Sequence, residues 1–211
     1  MAVTQSVPPS GRGAPRIRHT VAGTPRRAAA EAFVAEVFDR LHGARITAFA
    51  PNLMLLERGQ RILAAAGWRC AGEDRLFLET YLDRPVETEI SRLAGQPVRR
   101  DRIVEVGHLA ADQRGRSAQV IRALAAHLDG LGYEWVVFTA TSELIRIFHR
   151  LELPPLALAS ADPRRLGAAA RDWGRYYDTA PVVVAGRIRL ALATPMTPTR
   201  ASRSQPAGSD G

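Results

Sequence analysis

Helices in this chain are predicted by apolar residues that recur every third or fourth position. Phe33, Val37 and Leu41 share one helical face, and Gly43 supplies a residue type at which helices commonly end. A capping residue or a glycine bounds most of the other periodic segments in the same way. The helices predicted on this basis span residues 24–43, 83–95, 117–131 and 141–151, and one more begins at 162.

Apolar and alternating runs predict the strands. The run at 133–139 is the most apolar of the chain, as expected for a parallel strand buried on both faces. Ala-Gly-Glu-Asp at 71–74 is a turn composition, so the runs on either side of it are expected to pair as an antiparallel hairpin. Residues 52–56 fit a helix or an extended segment equally well. The predicted strands are 45–49, 60–70, 76–82, 102–110, 133–139 and 181–193, the last being one long strand or a strand pair.

The order of these elements predicts an α/β fold with a mixed sheet. A strand, a helix and a strand follow one another between residues 102 and 139, and such a unit is expected to be right-handed with parallel strands. The N-terminal strands have no helices between them, so they are expected to pair antiparallel. The predicted architecture is one α+β domain around a central βαβ unit.

The two ends of the chain are predicted to be disordered. Residues 1–23 are basic and rich in Pro, Gly and Ser, and residues 194–211 are rich in Thr, Pro, Arg and Ser. Both segments hold too few large apolar residues to offset the entropy of ordering. The single globular domain is therefore expected to span residues 24–193.

The formal net charge of +8 does not predict a basic binding face. Residues 1–30 hold five arginines and no acidic residue, so much of the excess lies in a predicted tail. Residues 31–190 hold 22 arginines and 20 acidic residues, which is close to balance. Nucleic acid is therefore not an expected partner.

Composition also argues for a cytoplasmic protein without a metal site. Cys70 is the only cysteine, so no disulfide can form within the chain and no cysteine cluster can bind metal. No apolar run approaches the roughly 20 residues that cross a bilayer. Arg26-Arg27 precedes an Ala-rich segment that Glu31 and Glu36 interrupt, unlike the apolar core of a signal peptide. A membrane partner is therefore not expected.

The loop between the strand at 102–110 and the next helix has the composition of an anion site. Free backbone amides and the positive end of the helix meet there, and Gly115 lets the backbone approach a ligand. Arg114 and Arg116 could add charge-assisted contacts to a diphosphate. Many such loops contain Gly and Arg without binding phosphate, so the loop by itself leaves both interpretations open.

This arrangement resembles the GNAT acyltransferases, in which such a loop holds the diphosphate of acyl-CoA and the pantetheine arm lies between two splayed parallel strands. Gly115 matches the central glycine of their loop pattern, whereas Asp112 and Ser117 occupy the flanking positions. The departure makes an acyl carrier protein an alternative donor to coenzyme A. The donor-binding residues that the resemblance implies are Val106, Gly107, Leu109, Arg114, Gly115, Arg116, Ser117, Thr139 and Thr141.

GNAT enzymes often use a tyrosine on the helix after the second parallel strand as the acid for the leaving thiolate. Phe148 occupies the corresponding position, so the resemblance places it against the donor and leaves that acid missing. Tyr176 or Tyr177 could substitute, although packing in the core or a lid is the other interpretation. A thiol with a pKa of about 8.5 can also leave without full protonation.

A closer resemblance, to the thermostable hemolysin family, covers about residues 25–190. It is carried by several long segments in the expected order: LFLETYLDRP at 76–85, GQPVR at 95–99, IVEVGHL at 103–109, YEWVVFT at 133–139, ADP at 161–163 and WGRYYD at 173–178. The family is related in fold to GNAT and autoinducer-synthase proteins. Its name implies membrane lysis, yet no segment here has the pattern of a pore-forming sequence.

Glu105 and His108 are the candidate catalytic residues. Glu105 alternates with apolar residues on the strand Val-Glu-Val-Gly-His-Leu, and it resembles the glutamate of the Glu-Val-Ser-Arg strand in acyl-homoserine-lactone synthases. A carboxylate there could accept the proton of an attacking amine, directly or through water. Equally, it could face solvent or pair with an arginine. His108 is either a second catalytic group or a structural neighbour.

The acceptor pocket is predicted on the hairpin at 60–82. Glu79, Tyr81 and Asp83 are expected to share one side of their strand, with Trp68 on the strand before it. The acidic groups would bind an amino group, although Asp83 could equally be a helix cap. Tyr176 is the remaining candidate for this pocket.

Three functions from different classes follow. The leading prediction is an acyltransferase that moves an acyl group from acyl-CoA or acyl carrier protein to the amino group of a small molecule. An amino acid or its derivative is the first acceptor to test. A membrane-active or lipid-binding protein is the second, and an inactive module that only binds the acyl thioester is the third. The sequence does not predict an oligomeric state.

Overall fold

The computed structural model describes residues 14–113 and 116–193. The strands in this part of the chain are β1 (Arg16–Val21), β2 (Asn52–Arg58), β3 (Arg61–Cys70), β4 (Ile103–Ala111), β5 (Trp135–Ala140), β6 (Leu156–Ser160) and β7 (Val182–Arg187). The α-helices are α1 (Arg27–His42), α2 (Val86–Ala94), α3 (Arg116–Gly130), α4 (Ser142–Arg150) and α5 (Ile188–Ala193). Short 3-10 segments lie at Phe77–Tyr81, Arg100–Arg102, Pro163–Trp173 and Tyr176–Thr179.

The strands form one mixed sheet in the order β1-β2-β3-β4-β5-β7-β6. β4 and β5 run parallel and are joined by α3, while the other neighbouring pairs among the described strands are antiparallel. A helical crossover is needed here because two parallel strands cannot be joined by a tight turn. The predicted α/β architecture with a central βαβ unit is confirmed.

Helices cover both faces of the sheet. Leu53 and Leu55 of β2 pack with α1 on one face, whereas Met54 and Leu56 pack with α3 on the other. This alternation is the two-residue period of a strand, and a sheet buried on both sides makes both sets apolar. Of the apolar residues that recur along α3, Val120, Leu124 and Leu128 are buried, whereas Leu131 just beyond the helix is exposed.

Local signals at helix ends act largely as expected. Gly43 is left-handed (φ 63°) and its N–H bonds the carbonyl oxygen of Asp39, which ends α1. The hydroxyl of Thr141 accepts a 3.3 Å hydrogen bond from the N–H of Leu144 and so caps α4. The predicted end of α1 and start of α4 are confirmed.

The segment at 76–82 is not a strand, and the predicted hairpin is wrong. It forms a 3-10 helix whose first amides are bound by two carboxylates. The distant Glu105 accepts from Phe77 and Leu78, and Glu79 of the same segment accepts from Leu76. β3 instead forms its hairpin with β2, around a two-residue turn in which Gly59 has a φ of 60°. Residues 52–56, whose sequence fits a helix and a strand equally well, are thus part of β2.

Other differences concern the ends of the sheet. Arg16–Val21 forms edge strand β1 within the segment predicted to be disordered, because its backbone pairs with β2 from Asn52 to Glu57. The segment at 45–49 has no regular structure, and β6 was not predicted. The run at 181–193 is strand β7 followed by helix α5. The remaining parts of the predicted tails, 1–13 and 194–211, lie outside the described residues.

Candidate active site

The two parallel strands pair over only part of their length. Three residues of β4 pair with three of β5, and the last pair is Glu105 with Val137. β4 nevertheless continues to Ala111 and β5 to Ala140. The strands therefore diverge after Glu105, and their facing edges no longer bond each other.

A bulge in β4 accompanies the divergence. Gly107 pairs with Gly67 of β3 and Ala110 pairs with Ala65, so β4 has one more residue than β3 between these pairs. Within the bulge His108 has a φ of 54°, which non-glycine residues rarely adopt. Bulges bend a strand and increase its twist. The bulge thus accounts for the departure of β4 from β5.

A cavity of about 1320 Å³ passes through the sheet at this opening. On the α1 side aromatic and polar residues line it, and on the α3 side aliphatic ones do. The volume suits a ligand much larger than an amino acid. Lining residues on the α1 side include Arg69, Phe77, Tyr81, Glu105, His108, Trp173, Tyr176 and Tyr177, and on the α3 side Ile121, Leu124, Ala125, Leu128, Val136 and Ile188.

Glu105 lies where the strands part and is buried. Its two carboxylate oxygens accept hydrogen bonds of 2.9 Å from the N–H groups of Phe77 and Leu78, and one oxygen lies 3.5 Å from Nε of Arg69. Burial raises the pKa of Glu105, and these three partners oppose the rise without cancelling it. A carboxylate with a raised pKa is a better proton acceptor than an exposed one.

His108 is a neutral ring at the bulge. Its Nε2 lies 3.1 Å from the carbonyl oxygen of Ala48, and because a carbonyl only accepts, Nε2 carries the proton. Nδ1 is buried and has no hydrogen-bond partner among the described residues. Burial lowers the pKa of His108 to about 4, so the ring stays uncharged at neutral pH.

An aromatic wall closes the α1 side of the cavity. The Tyr176 hydroxyl donates a 3.3 Å hydrogen bond to the carbonyl oxygen of Thr139, and the hydroxyls of Tyr81 and Tyr177 lie 2.5 Å apart. Burial raises the pKa of Tyr176 and of Tyr177. Trp173 contacts both Phe77 and Tyr176, with ring centroids 5.5 and 5.2 Å away. All five rings therefore form one connected surface.

The structure brings most of the predicted donor-binding residues to the cavity. Phe148 of α4 lies there, stacked on Phe138 with ring centroids 5.0 Å apart. Arg114, Gly115 and the side chain of Ser117 lie outside the described residues. The other predicted donor residues that line the cavity are Val106, Gly107, Leu109, Thr139 and Thr141.

Arg116 is engaged within the chain. Its Nε lies 3.0 Å from the carboxylate of Asp112, and its Nη2 donates to the side-chain oxygen of Gln113. Asp112 also pairs with Arg61. An anion bound at this loop would have to compete with Asp112 for both guanidinium groups.

Three of the predicted acceptor residues do not lie in the cavity. Trp68 is on the opposite face of β3, where it packs against His19 and His127. Asp83 is exposed and pairs with Arg165. Glu79 faces away because its segment is helical rather than extended. The geometric basis for grouping these residues is wrong, whereas Tyr81 and Tyr176 do line the cavity.

Glu79 acts instead as a buried clamp. It accepts hydrogen bonds from the N–H groups of Leu76 and Val86 and a bidentate pair of 2.6 and 2.9 Å from Arg100. Burial alone would raise the pKa of Glu79, but Arg100 and the two amides outweigh it and lower the pKa to about 2. The residue ties the 3-10 helix to the start of α2.

Sequence reasoning missed Arg69 and Trp173 as lining residues. Arg69 stands directly across from Glu105 on β3, a pairing that depends on the register between two distant strands. Trp173 belongs to the WGRYYD segment at 173–178, but the residues of that segment do not indicate that the segment packs against α1. Strand register was the signal that would have been needed for Arg69.

Comparison with known proteins supplies a family and a fold. A family model described as thermostable hemolysin matches residues 20–192. No curated protein matches the chain. Within the described residues, no helix is long and apolar enough to cross a membrane.

Several solved structures resemble this one at low sequence identity. They include FeeM, an N-acyl amino acid synthase from uncultured soil microbes, at 15% identity and a TM-score of 0.57, covering 85% of this chain and 94% of that one. The CoA-dependent acyl-homoserine lactone synthase BjaI has 14% identity and a TM-score of 0.57, covering 84% and 86%. A putative N-acetyltransferase from Lactobacillus plantarum has 16% identity and a TM-score of 0.51, and the match covers 83% of this chain and 99% of that one. At such identities the likeness shows a shared GNAT-like fold.

Proposed function

The chain belongs to the thermostable hemolysin family, and its GNAT-like fold and cavity lead us to propose that it is an N-acyltransferase. The donor is an acyl thioester, carried by coenzyme A or by an acyl carrier protein. The acceptor is the amino group of a small molecule. The names of two proteins with this fold, an N-acyl amino acid synthase and a CoA-dependent acyl-homoserine lactone synthase, agree with this reaction class.

One observation carries the proposal: a buried carboxylate stands at the point where two parallel strands open into a through-going cavity. Glu105 ends the pairing of β4 and β5, and the cavity continues from it on both faces of the sheet. A thioester arm can lie in the gap and bond the unpaired edges of both strands. The acyl carbon is then held next to Glu105, which supplies proximity and a base together.

The proposed reaction has two steps. The amine nitrogen attacks the thioester carbonyl carbon, and Glu105 takes a proton from that nitrogen, directly or through one water. Backbone N–H groups of β4 beyond Glu105 are no longer bonded to β5 and are placed to stabilise the oxyanion. The carbon–sulfur bond then breaks, the amide forms, and the thiolate leaves and takes up a proton.

Other residues support this centre without touching the reacting atoms. The proton on Nε2 of His108 holds the bulge to the backbone at Ala48, so we assign His108 a positioning role. Phe148 offers no proton to the thiolate. On the aromatic wall, the hydroxyl of Tyr176 bonds Thr139 of β5, and burial raises the pKa of Tyr176, so this hydroxyl keeps its proton at neutral pH.

The first prediction concerns Glu105. Purified protein is expected to release free thiol from acyl-CoAs in the presence of amines, and Glu105→Gln is expected to lower kcat/KM about 100-fold or more, since general-base catalysis contributes roughly that much. Because the base must be deprotonated, wild-type kcat/KM is expected to rise with pH through a pKa above 4.5, the usual value for Glu. The variant is expected to lose that rise.

Glu73→Gln, an exposed change outside the cavity, is the control. Circular dichroism checks that Glu105→Gln keeps the fold, because its amide can accept from only one of the two N–H groups. Thiol release at the background rate with every acyl-CoA, acyl carrier protein and amine would overturn the proposal. Binding of acyl-CoA without turnover would instead indicate a binding module.

A further inference from the structure

Arg69 places a cationic group inside the cavity with most of its donors unused. Its side chain is 26% exposed, and Nε lies 3.5 Å from Glu105. Nη1 and Nη2 make no hydrogen bond to any residue in 14–113 or 116–193. Arg69 lines the cavity together with Phe77 and Tyr81.

Two other sheltered arginines of this fold use both of their terminal nitrogens. Arg27 bonds Glu31 and the carbonyl oxygens of Ala50 and Pro51, with its side chain 11% exposed. Arg100, at 29%, bonds Glu79 at both Nη atoms. Buried polar groups are nearly always paired. The Nη atoms of Arg69 differ in that they have no such partner among the described residues and belong to a side chain that lines the cavity, where a ligand can bond them.

The cation and the carboxylate of this pair are used differently. Both oxygens of Glu105 already accept backbone N–H groups, so Glu105 is fixed by the 3-10 helix and not by Arg69. At 3.5 Å, Arg69 is also beyond a short charge-assisted bond. The fold does not need the Nη donors of Arg69 to hold Glu105 in place.

We propose that Arg69 binds a carboxylate of the acceptor, and hence that the acceptor is an α-amino acid with a free carboxylate; this rests on the proposed acyl transfer. An α-amino acid carries its amino group and its carboxylate on one carbon, and Glu105 and Arg69 are adjacent in the cavity. The planar guanidinium takes the carboxylate through two parallel hydrogen bonds. That contact points the amino group at Glu105 and at the thioester.

The test compares amino acids with the amines that differ only by loss of the carboxylate. The matched pairs are L-phenylalanine with 2-phenylethylamine, L-leucine with isoamylamine, and L-histidine with histamine, each with decanoyl-CoA in a thiol-release assay. For wild type, kcat/KM is expected to favour the amino acid of at least one pair about tenfold or more, as one charge-assisted pair allows. Arg69→Gln is expected to erase that preference.

The ratio within a pair separates specificity from general damage. A merely structural role for Arg69 would lower kcat/KM for both members of a pair alike. Arg69→Lys keeps the charge but lacks the fork and is expected to recover only part of the preference. Arg75→Gln removes the same charge from an exposed position near the site and is expected to keep it in full.

Binding gives a second, turnover-independent readout. Thermal stabilisation by the amino acid, but not by its paired amine, is expected for wild type and Arg75→Gln and is expected to be lost in Arg69→Gln. Equal stabilisation by both members, or none by any, would overturn the role of Arg69. A preference retained by Arg69→Gln would do the same. Absence of thiol release with every acceptor would count against acyl transfer itself, whatever the thermal stabilisation shows about binding.

Discussion

Two buried glutamates have pKa values shifted in opposite directions by burial and by their partners. A carboxylate oxygen of Glu79 lies 2.6 Å from Nη1 of Arg100, whereas a carboxylate oxygen of Glu105 lies 3.5 Å from Nε of Arg69. Burial raises the pKa of both, but only at Glu79 do the guanidinium and the amides prevail and lower the pKa to about 2. One residue is thereby a permanent anion that holds structure, and the other a base that can be protonated.

A prediction for Glu79 follows at this scale. Since its pKa is about 2 when folded and 4.5 is the ordinary value, its stabilisation is complete above pH 4.5 and is lost as pH falls through 2. Glu79→Gln is expected to lower the free energy of unfolding by about 3 kcal/mol at pH 7 because it breaks a buried ion pair. The difference in free energy of unfolding between wild type and Glu79→Gln is expected to be smaller at pH 3 than at pH 7.

Urea denaturation at the two pH values measures that gap. Glu73→Gln, in which an exposed carboxylate is removed, is expected to differ little from wild type at either pH. A gap between wild type and Glu79→Gln that is equal at pH 7 and pH 3 would mean that the charge of Glu79 is not what stabilises the fold.

The same residues mark the limit of what the sequence predicts. Glu105 was identified because its strand has a local pattern that a family resemblance could match. Arg69 was not, because its place beside Glu105 follows from strand register alone. Glu79 was grouped with Tyr81 and Asp83 because residues 76–82 were predicted to be a strand. The segment is a 3-10 helix instead, and its amides are bound by Glu105, which lies 28 residues beyond Phe77.

At the scale of elements, apolar periodicity predicted the helices and strands whose own residues carry a strong pattern. The helix α3 and the parallel strands carry strong local patterns and were predicted. Edge strand β1 has no apolar alternation, with five of six residues exposed, and it is a strand only because β2 offers a bonding edge. Long-range hydrogen bonds of this kind leave no trace in a local pattern.

The segment at 163–179 depends on such long-range contacts and gives a further prediction. Gly174 has φ 52° and ψ −123°, and a Cβ there would lie 2.3 Å from the carbonyl oxygen of His42. The neighbouring N–H of Arg175 bonds that same oxygen at 2.7 Å, which docks the aromatic wall on α1. Gly174→Ala is expected to lower the free energy of unfolding by about 3 kcal/mol or more.

Gly167 is a close control for that change. It has nearly the same backbone angles, φ 58° and ψ −130°, but open space where a Cβ would lie. Gly167→Ala therefore reports the dihedral strain alone and is expected to cost about 1–2 kcal/mol. If chemical denaturation finds the two variants equally destabilised, the contact with His42 does not hold the segment.

At the scale of the whole molecule, the cavity exists only because two helical layers sandwich a sheet that opens in the middle. Its aromatic end is built from α1 and the 163–179 segment, and its aliphatic end from α3, β5 and α5. Glu105 and Arg69, the polar groups of the proposed reaction, lie at the aromatic end. The proposed acyl transfer therefore puts the acyl chain at the aliphatic end, since burying each CH₂ there would contribute about 0.8 kcal/mol.

The last prediction tests that division. Affinity for acyl-CoAs is expected to rise by up to about fourfold per CH₂, the equivalent of that burial, until the chain fills the aliphatic end. Ala125→Phe puts a ring on the α3 wall of the cavity and is expected to shift the preferred acyl chain to a shorter length, with kcat/KM for the shortest donors nearly unchanged. Ala126→Phe, on the exposed side of the same helix, is expected to keep the wild-type preference. A chain-length profile of kcat/KM that is the same in all three proteins would place the acyl group elsewhere, because a chain lying against α3 cannot avoid the new ring.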